Sequence, residues 1–149
     1  MTSLRRRRSR VLLGLLGLTA LLSAAPACAD PAKAEAASLL AAVDRFRRAE
    51  YPGKASMLPP LREVPCTDRD VCATKDACIA HAEPLVAAIA MKSEVQRRMD
   101  DPEAGIMDPD TRAALIAKLD DASKLLDKGR AAQAACDQKT IELRMRYRL

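Results

Sequence analysis

Leu115, Ala122, Gly129, Cys136 and Leu143 recur at intervals of seven towards the C-terminus, with Leu119 and Leu126 interleaved at the companion positions. An apolar period of seven marks a helix with one buried seam. Charged Lys118, Asp121, Lys124 and Lys128 fall off that seam. Asp108 followed by Pro109 supplies a capping side chain and a proline at the first helical position. One long amphipathic helix is expected from about Pro109 to the mid-140s. Its last nine residues, "IELRMRYRL", alternate apolar and charged with period two, which taken alone signals a strand. Helix-forming Leu, Glu, Arg and Met, and the four-residue steps from Ile141 to Met145 and from Leu143 to Tyr147, favour a helix end over a strand or a partner-binding tail.

A second helix is expected to open at "CTDRD", where Thr67 and Asp70 form a T-x-x-D variant of the capping box and leave Cys66 just outside. Val71, Cys78, Ala82, Leu85, Val86 and Ile89 then share a face, and the helix runs to Met99 before Asp101-Pro102. Pro84 predicts a kink near His81. An earlier helix, within residues 30–50, offers Leu39, Leu40, Val43 and Phe46 to the same core. Between them, residues 51–66 read as a proline-rich connector, "YPGKASMLPPLREVP", unable to stay helical for long. The short link "DDPEAGIM" makes the second and third helices antiparallel neighbours. The fold expected is all-α: a small three-helix arrangement dominated by a long antiparallel hairpin over residues 67–149, in one domain with residues 30–50.

Composition supports the helical reading. Phe46, Tyr51 and Tyr147 are the only aromatics, so Ala, Leu, Ile, Val and Met must build the core. Such a core suits closely approaching helices better than strands, which favour aromatic and β-branched residues.

The first thirty residues carry a different message. Five arginines, Arg5 to Arg8 and Arg10, precede a fifteen-residue apolar run from Val11 to Ala25 and a stretch of small residues. That is the three-part pattern of a secretory signal peptide, and the run is short of the roughly 18 to 20 residues that span a bilayer. Ala27-Cys28-Ala29 fits the small-x-small cleavage pattern, so residues 1–29 would leave after Ala29. Alternatively, "APAC" resembles the lipobox of bacterial lipoproteins, with removal of residues 1–27 and lipidation of Cys28, although Ala25 stands where that family usually has Leu. Soluble export is favoured over lipidation. Of 25 basic residues, the five arginines leave with the signal, so 20 remain against 20 acidic ones and the net charge of +5 falls to zero. The basic balance belongs to the targeting segment, and nucleic-acid binding is set aside.

"CTDRDVCATKDACIAH" gathers Cys66, Cys72, Cys78 and the one histidine, His81. It lacks the C-x-x-C-H of a c-type haem. Its C-x5-C-x5-C spacing lacks the close knuckles of structural zinc sites, and on a helix only Cys78 and His81 share a face. An oxidising compartment favours disulfides, and Cys66, Cys72, Cys78 and Cys136 make an even set. Cys72 with Cys78 is excluded on a helix, where six residues rise about 9 Å. A turn centred near 104 places Cys72 opposite Cys136, but Cys66 then reaches Cys78 poorly. The pairing favoured is Cys66 with Cys72 and Cys78 with Cys136, which requires a shifted register.

Little in the chain points to catalysis. One histidine, acidic pairs at Asp100-Asp101 and Asp120-Asp121 of surface type, no calcium-loop spacing and no glycine-rich phosphate loop leave no enzyme motif. No cofactor is expected. The leading expectation is a small exported bacterial envelope protein that binds or scaffolds, with Met57, Leu58, Leu61, Ile106 and Met107 as contact points or as closures of the bundle ends. The same role as a lipoprotein anchored at the membrane surface through Cys28 is one alternative. A metal-binding or redox protein using Cys72, Cys78 and His81 is another. A third is self-association of the long helix through Leu115, Leu119 and Leu126.

Overall fold

A computed structural model describes residues 30–101 and 107–149. Residues 1–29, the expected signal peptide with Cys28 and Ala29, and Ile106 lie outside the described residues. The fold is all-α, with four helices and no strand among the described residues. Helix α1 spans Pro31–Arg48, α2 Lys54–Glu63, α3 Arg69–Met99 and α4 Pro109–Tyr147, with a 3-10 turn at Tyr51–Gly53 before α2. At 1.5 Å per residue the 39 residues of α4 extend about 58 Å.

Helix α1 starts because Asp30 Oδ1 accepts the amide of Ala32 at 3.0 Å and Pro31 takes the first position. Its stripe of Ala36, Leu39, Leu40, Val43 and Phe46 is buried. Arg45, Arg47 and Arg48 fill its last turn, where positive charge suits the helix dipole.

Helix α2 corrects the expected connector. Residues 54–63 are helical despite Pro59 and Pro60. Both prolines face solvent, so the carbonyls they leave unbonded meet water, while Leu58 and Leu61 turn into the core, 7% and 1% exposed. Burial of those two side chains outweighs the local preference of a residue before proline for extended backbone. Leu58 and Leu61 are therefore core residues rather than contact points, and Met57 packs half-buried against the same core. Lys54 secures the corner: its Nζ donates to the carbonyls of Phe46 at 2.8 Å and Arg47 at 3.3 Å, at the frayed end of α1. Partial burial there pushes the ammonium below its ordinary pKa.

Helix α3 begins one residue later than the T-x-x-D pattern predicts. Asp68 is the cap, accepting from Asp70 and Val71 at 2.9 and 3.1 Å. Thr67 is held elsewhere: its amide and hydroxyl both donate to the Glu35 carboxylate on α1, at 2.7 and 2.8 Å, and the Asp68 amide adds a third bond at 3.3 Å. These hydrogen bonds, those of Thr67 foremost, hold Glu35 below its ordinary value of 4.5.

Helix α4 starts as expected, with Asp108 accepting from Asp110 and Thr111. It stays helical to Tyr147, so the alternating tail is a helix end. Leu143 and Tyr147, four apart, are 2% and 9% exposed, and Arg144 reaches Asp44 on α1 with two contacts of 3.0 and 2.9 Å. The heptad line is the buried one: Ala122 and Cys136 are each 1% exposed. Leu119, by contrast, is 37% exposed and Leu126 half-buried. They sit on the edge of α4 that α1 covers lower down and that no described residue covers fully above.

The two long helices come into backbone contact where His81 and Pro84 of α3 meet Gly129 of α4. A Cβ on Gly129 would stand 3.1 Å from the His81 carbonyl oxygen and 3.5 Å from Pro84 Cγ. Helix α3 runs unbroken through Pro84. The missing side chain lets one backbone rest against the other. The core proper lies below this crossing, among α1, α2, the first turns of α3 and the end of α4. Above it, α3 and α4 bury only small or slender residues against each other, such as Ala88, Val95 and Ala122.

Gly129→Leu is expected to force the helices apart and lower stability by about 1–3 kcal/mol, measured by urea unfolding of the oxidised protein. An unchanged midpoint would mean the crossing is looser than described. Glu35 has a folded-state pKa below its unfolded value, so the stability it contributes is present above pH 4.5 and is lost as pH falls through the lower folded value. Glu35→Gln is expected to lower the thermal midpoint at neutral pH and to flatten its fall on acidification below about pH 4.5.

Candidate functional site

The cysteine cluster resolves into two bridges. Cys66 pairs with Cys72, Cα atoms 5.2 Å apart, and Cys78 pairs with Cys136 at 4.6 Å. The first staples the loop before α3 to its first turn. The second joins the two long helices at the point where α1 also packs, and both its cysteines are buried, 2% and 1% exposed. Cys78 rather than Cys72 faces Cys136, so the hairpin adopts the shifted register, which the ion pair of Glu94 with Lys118 at 2.6 Å also marks.

His81 lies one turn beyond Cys78. Its Nδ1 is 2.8 Å from the carbonyl oxygen of Gly129, and because a carbonyl only accepts, that nitrogen is assigned the proton. The ring presents its edge to Phe46, with centroids 6.3 Å apart and planes at 82°. With Cys72 and Cys78 both bridged, Nε2 of His81 is the one ligating atom left of the Cys72, Cys78 and His81 set. Among the described residues, no three His, Cys, Asp or Glu side chains are placed to hold one ion.

Beside His81 a cleft of about 400 Å³ opens between Phe46, Lys54, Leu85 and Gln133, bridged by the ion pair of Arg47 with Asp137. Most of its polar groups have partners: Lys54 the α1 carbonyls, Arg47 Asp137, and Nδ1 of His81 the Gly129 carbonyl. These contacts clamp α1 onto the hairpin. The acidic pairs are likewise spread out. Asp100 accepts from Gln96 at 2.9 Å, and Asp121 pairs with Lys124 at 2.8 Å on an exposed face.

Two further hollows continue upward from this cleft. One, of about 270 Å³, lies between Tyr51, Ile89, Lys92 and Leu126. The next, of about 320 Å³, lies between Lys92, Gln96, Met99 and Leu119. Together they form an apolar groove along the upper hairpin, starting where α1 ends. Tyr51 at its foot is 65% exposed and Met99 at its top 64%. Sequence reasoning placed Ile89, Leu119 and Leu126 on seams and assigned no role to Tyr51, Lys92 or Met99. The signal that would have found the groove is length: α1 has 18 residues and α4 has 39, so α1 covers only part of the hairpin.

The two staples should differ in weight. In the loop-entropy account, closing the 58-residue separation of Cys78 and Cys136 contributes about 4 kcal/mol, and the separation of 6 between Cys66 and Cys72 about 2 kcal/mol. Cys78→Ala with Cys136→Ala is expected to lower the urea midpoint about twice as far as Cys66→Ala with Cys72→Ala. Equal losses would contradict the ranking. No protein-family model, curated protein or solved structure matches the chain, and the functional conclusion rests on this geometry alone.

Proposed function

We propose that this is an exported protein of the bacterial envelope that acts by binding and scaffolding rather than by catalysis. The observation that carries the reading is the buried bridge from Cys78 to Cys136 at the centre of the fold. A cross-link in that position suits an oxidising compartment and is hard to maintain in a reducing one. The arginine-led apolar segment before Asp30 supplies the route. No helix among the described residues is long and apolar enough to cross a membrane.

The geometry supports a binding role in a second way. Helix α1 starts at the pole where Glu35 meets Thr67 and where α4 ends, and the groove lies towards the opposite pole. Whether the mature chain starts at Asp30 or is lipidated at Cys28, its first residue and the groove stand apart, while Ile141 and Met145 add exposed apolar side chains near the first pole. Such a layout suits a protein held at one end and docked at the other.

The test is the intact mass of the protein taken from its own envelope, with and without reduction before thiol alkylation. A chain starting at Asp30 that takes four alkyl groups only after reduction is the expected result. A lipid-sized increment on a chain starting at Cys28 would keep the role and place the protein on a membrane surface. Alkylation without reduction would overturn the stapled scaffold and make the metal or redox reading of Cys72, Cys78 and His81 the leading one.

A further inference from the structure

One half of the groove between α3 and α4 is already filled, and its occupant shows what the groove accepts. Helix α1 lies there with Leu39, Val43 and Phe46 turned inward. Two ion pairs flank that stripe, Asp44 to Arg144 and Arg47 to Asp137, so the charged rim of α4 is matched wherever α1 covers it. The chain then turns away through Tyr51–Gly53 into α2.

Above that turn the same surfaces continue with no further helix over them among the described residues. Gln133, Leu126 and Leu119 follow one another at intervals of seven on the α1-facing side of α4. Leu85, Ile89, Lys92, Gln96 and Met99 follow at intervals of three and four on α3. The fourteen steps along the chain from Leu119 to Gln133 correspond to about 21 Å, or about four helical turns. Lys92 lies in the middle of this stretch, lines both upper hollows, is exposed, and forms no ion pair among the described residues. Among the described residues α1 and α2 bury their apolar faces in the core, whereas α4 also leaves Ile116, Ile141 and Met145 exposed.

We infer that the upper groove is the docking site for an amphipathic α-helix of a partner protein, about four turns long, carrying a carboxylate that meets Lys92. The inference rests on the binding reading above and gives that reading a partner chemistry. The incoming helix extends the line of α1 past Tyr51, sets its apolar stripe against Leu119, Leu126, Ile89 and Met99, and repeats at Lys92 the charge matching that α1 makes at Arg144.

The experiment uses two synthetic helical peptides of about 18 residues, alike in a Leu/Ala stripe and differing only in Glu or Lys beside it. Each is titrated into isotope-labelled oxidised protein and followed through the amide resonances. The Glu peptide is expected to shift Ile89, Lys92, Ser93, Leu119 and Leu126 and to bind about fivefold more tightly than the Lys peptide. Lys92→Glu should reverse that order, and Leu119→Asp should weaken both peptides at least about tenfold. Both positions are exposed, and an unchanged thermal midpoint checks that each variant is folded. Equal affinities untouched by Lys92→Glu, or no shifts up to about 1 mM peptide, would overturn the inference. Shifts confined to another surface would overturn it while leaving the binding reading in place. If groove resonances instead sharpen on dilution as the sedimenting mass halves, the occupant is a second copy and the partner helix is wrong.

Discussion

The bridge between Cys78 and Cys136 sets the register of α3 against α4, and the remaining contacts follow from that register. With those two positions facing each other, His81 comes level with Gly129, and Pro84 rests against the same glycine. Glu94 meets Lys118 higher up, and Asp70 meets Arg146 at the lower end. The side of the bridge that faces α1 is closed by Arg47, whose guanidinium stands 3.7 Å from the Cys136 sulfur and pairs with Asp137 one residue on. A slip of one helical turn would separate all these groups together. That matters in a chain whose upper hairpin buries alanine and valine, because small side chains alone specify register weakly.

The bridge also accounts for the division between the two ends of the molecule. Below it, four helices share a core that includes Leu39, Phe46, Leu61 and Leu143. Above the crossing of Pro84 and Gly129, α3 and α4 continue beyond the core, and the groove between them is open among the described residues. Both ends expose some large apolar side chains, Leu119 and Met99 above and Ile141 and Met145 below. On the reading proposed above, the groove left open on this stapled frame is the recognition surface.

Much of the fold was legible because it is written in periodicity. The heptad through Ala122, Gly129, Cys136 and Leu143 located α4 and its buried line, and the four-residue step from Leu143 to Tyr147 argued for a helix where the alternation of charge argued for a strand. What failed depended on groups distant in sequence. Pro59 and Pro60 obscured α2 because local preference does not register the core awaiting Leu58 and Leu61. Thr67 read as a cap because its partner, Glu35, lies on another helix. Cys66, Cys72, Cys78 and Cys136 were readable as bridge cysteines from compartment and spacing, whereas the groove at Lys92 was not, because it is defined by where α1 stops rather than by any residue within it.

The most direct test of the central claim is tryptic mapping of the unreduced protein, since each of the four cysteines falls on its own peptide: residues 63–69, 70–75, 76–92 and 131–139. The account predicts two cross-linked species, 63–69 joined to 70–75 and 76–92 joined to 131–139. A species joining 70–75 to 131–139 would put Cys72 opposite Cys136 and contradict the register on which the fold, the crossing at Gly129 and the groove all depend.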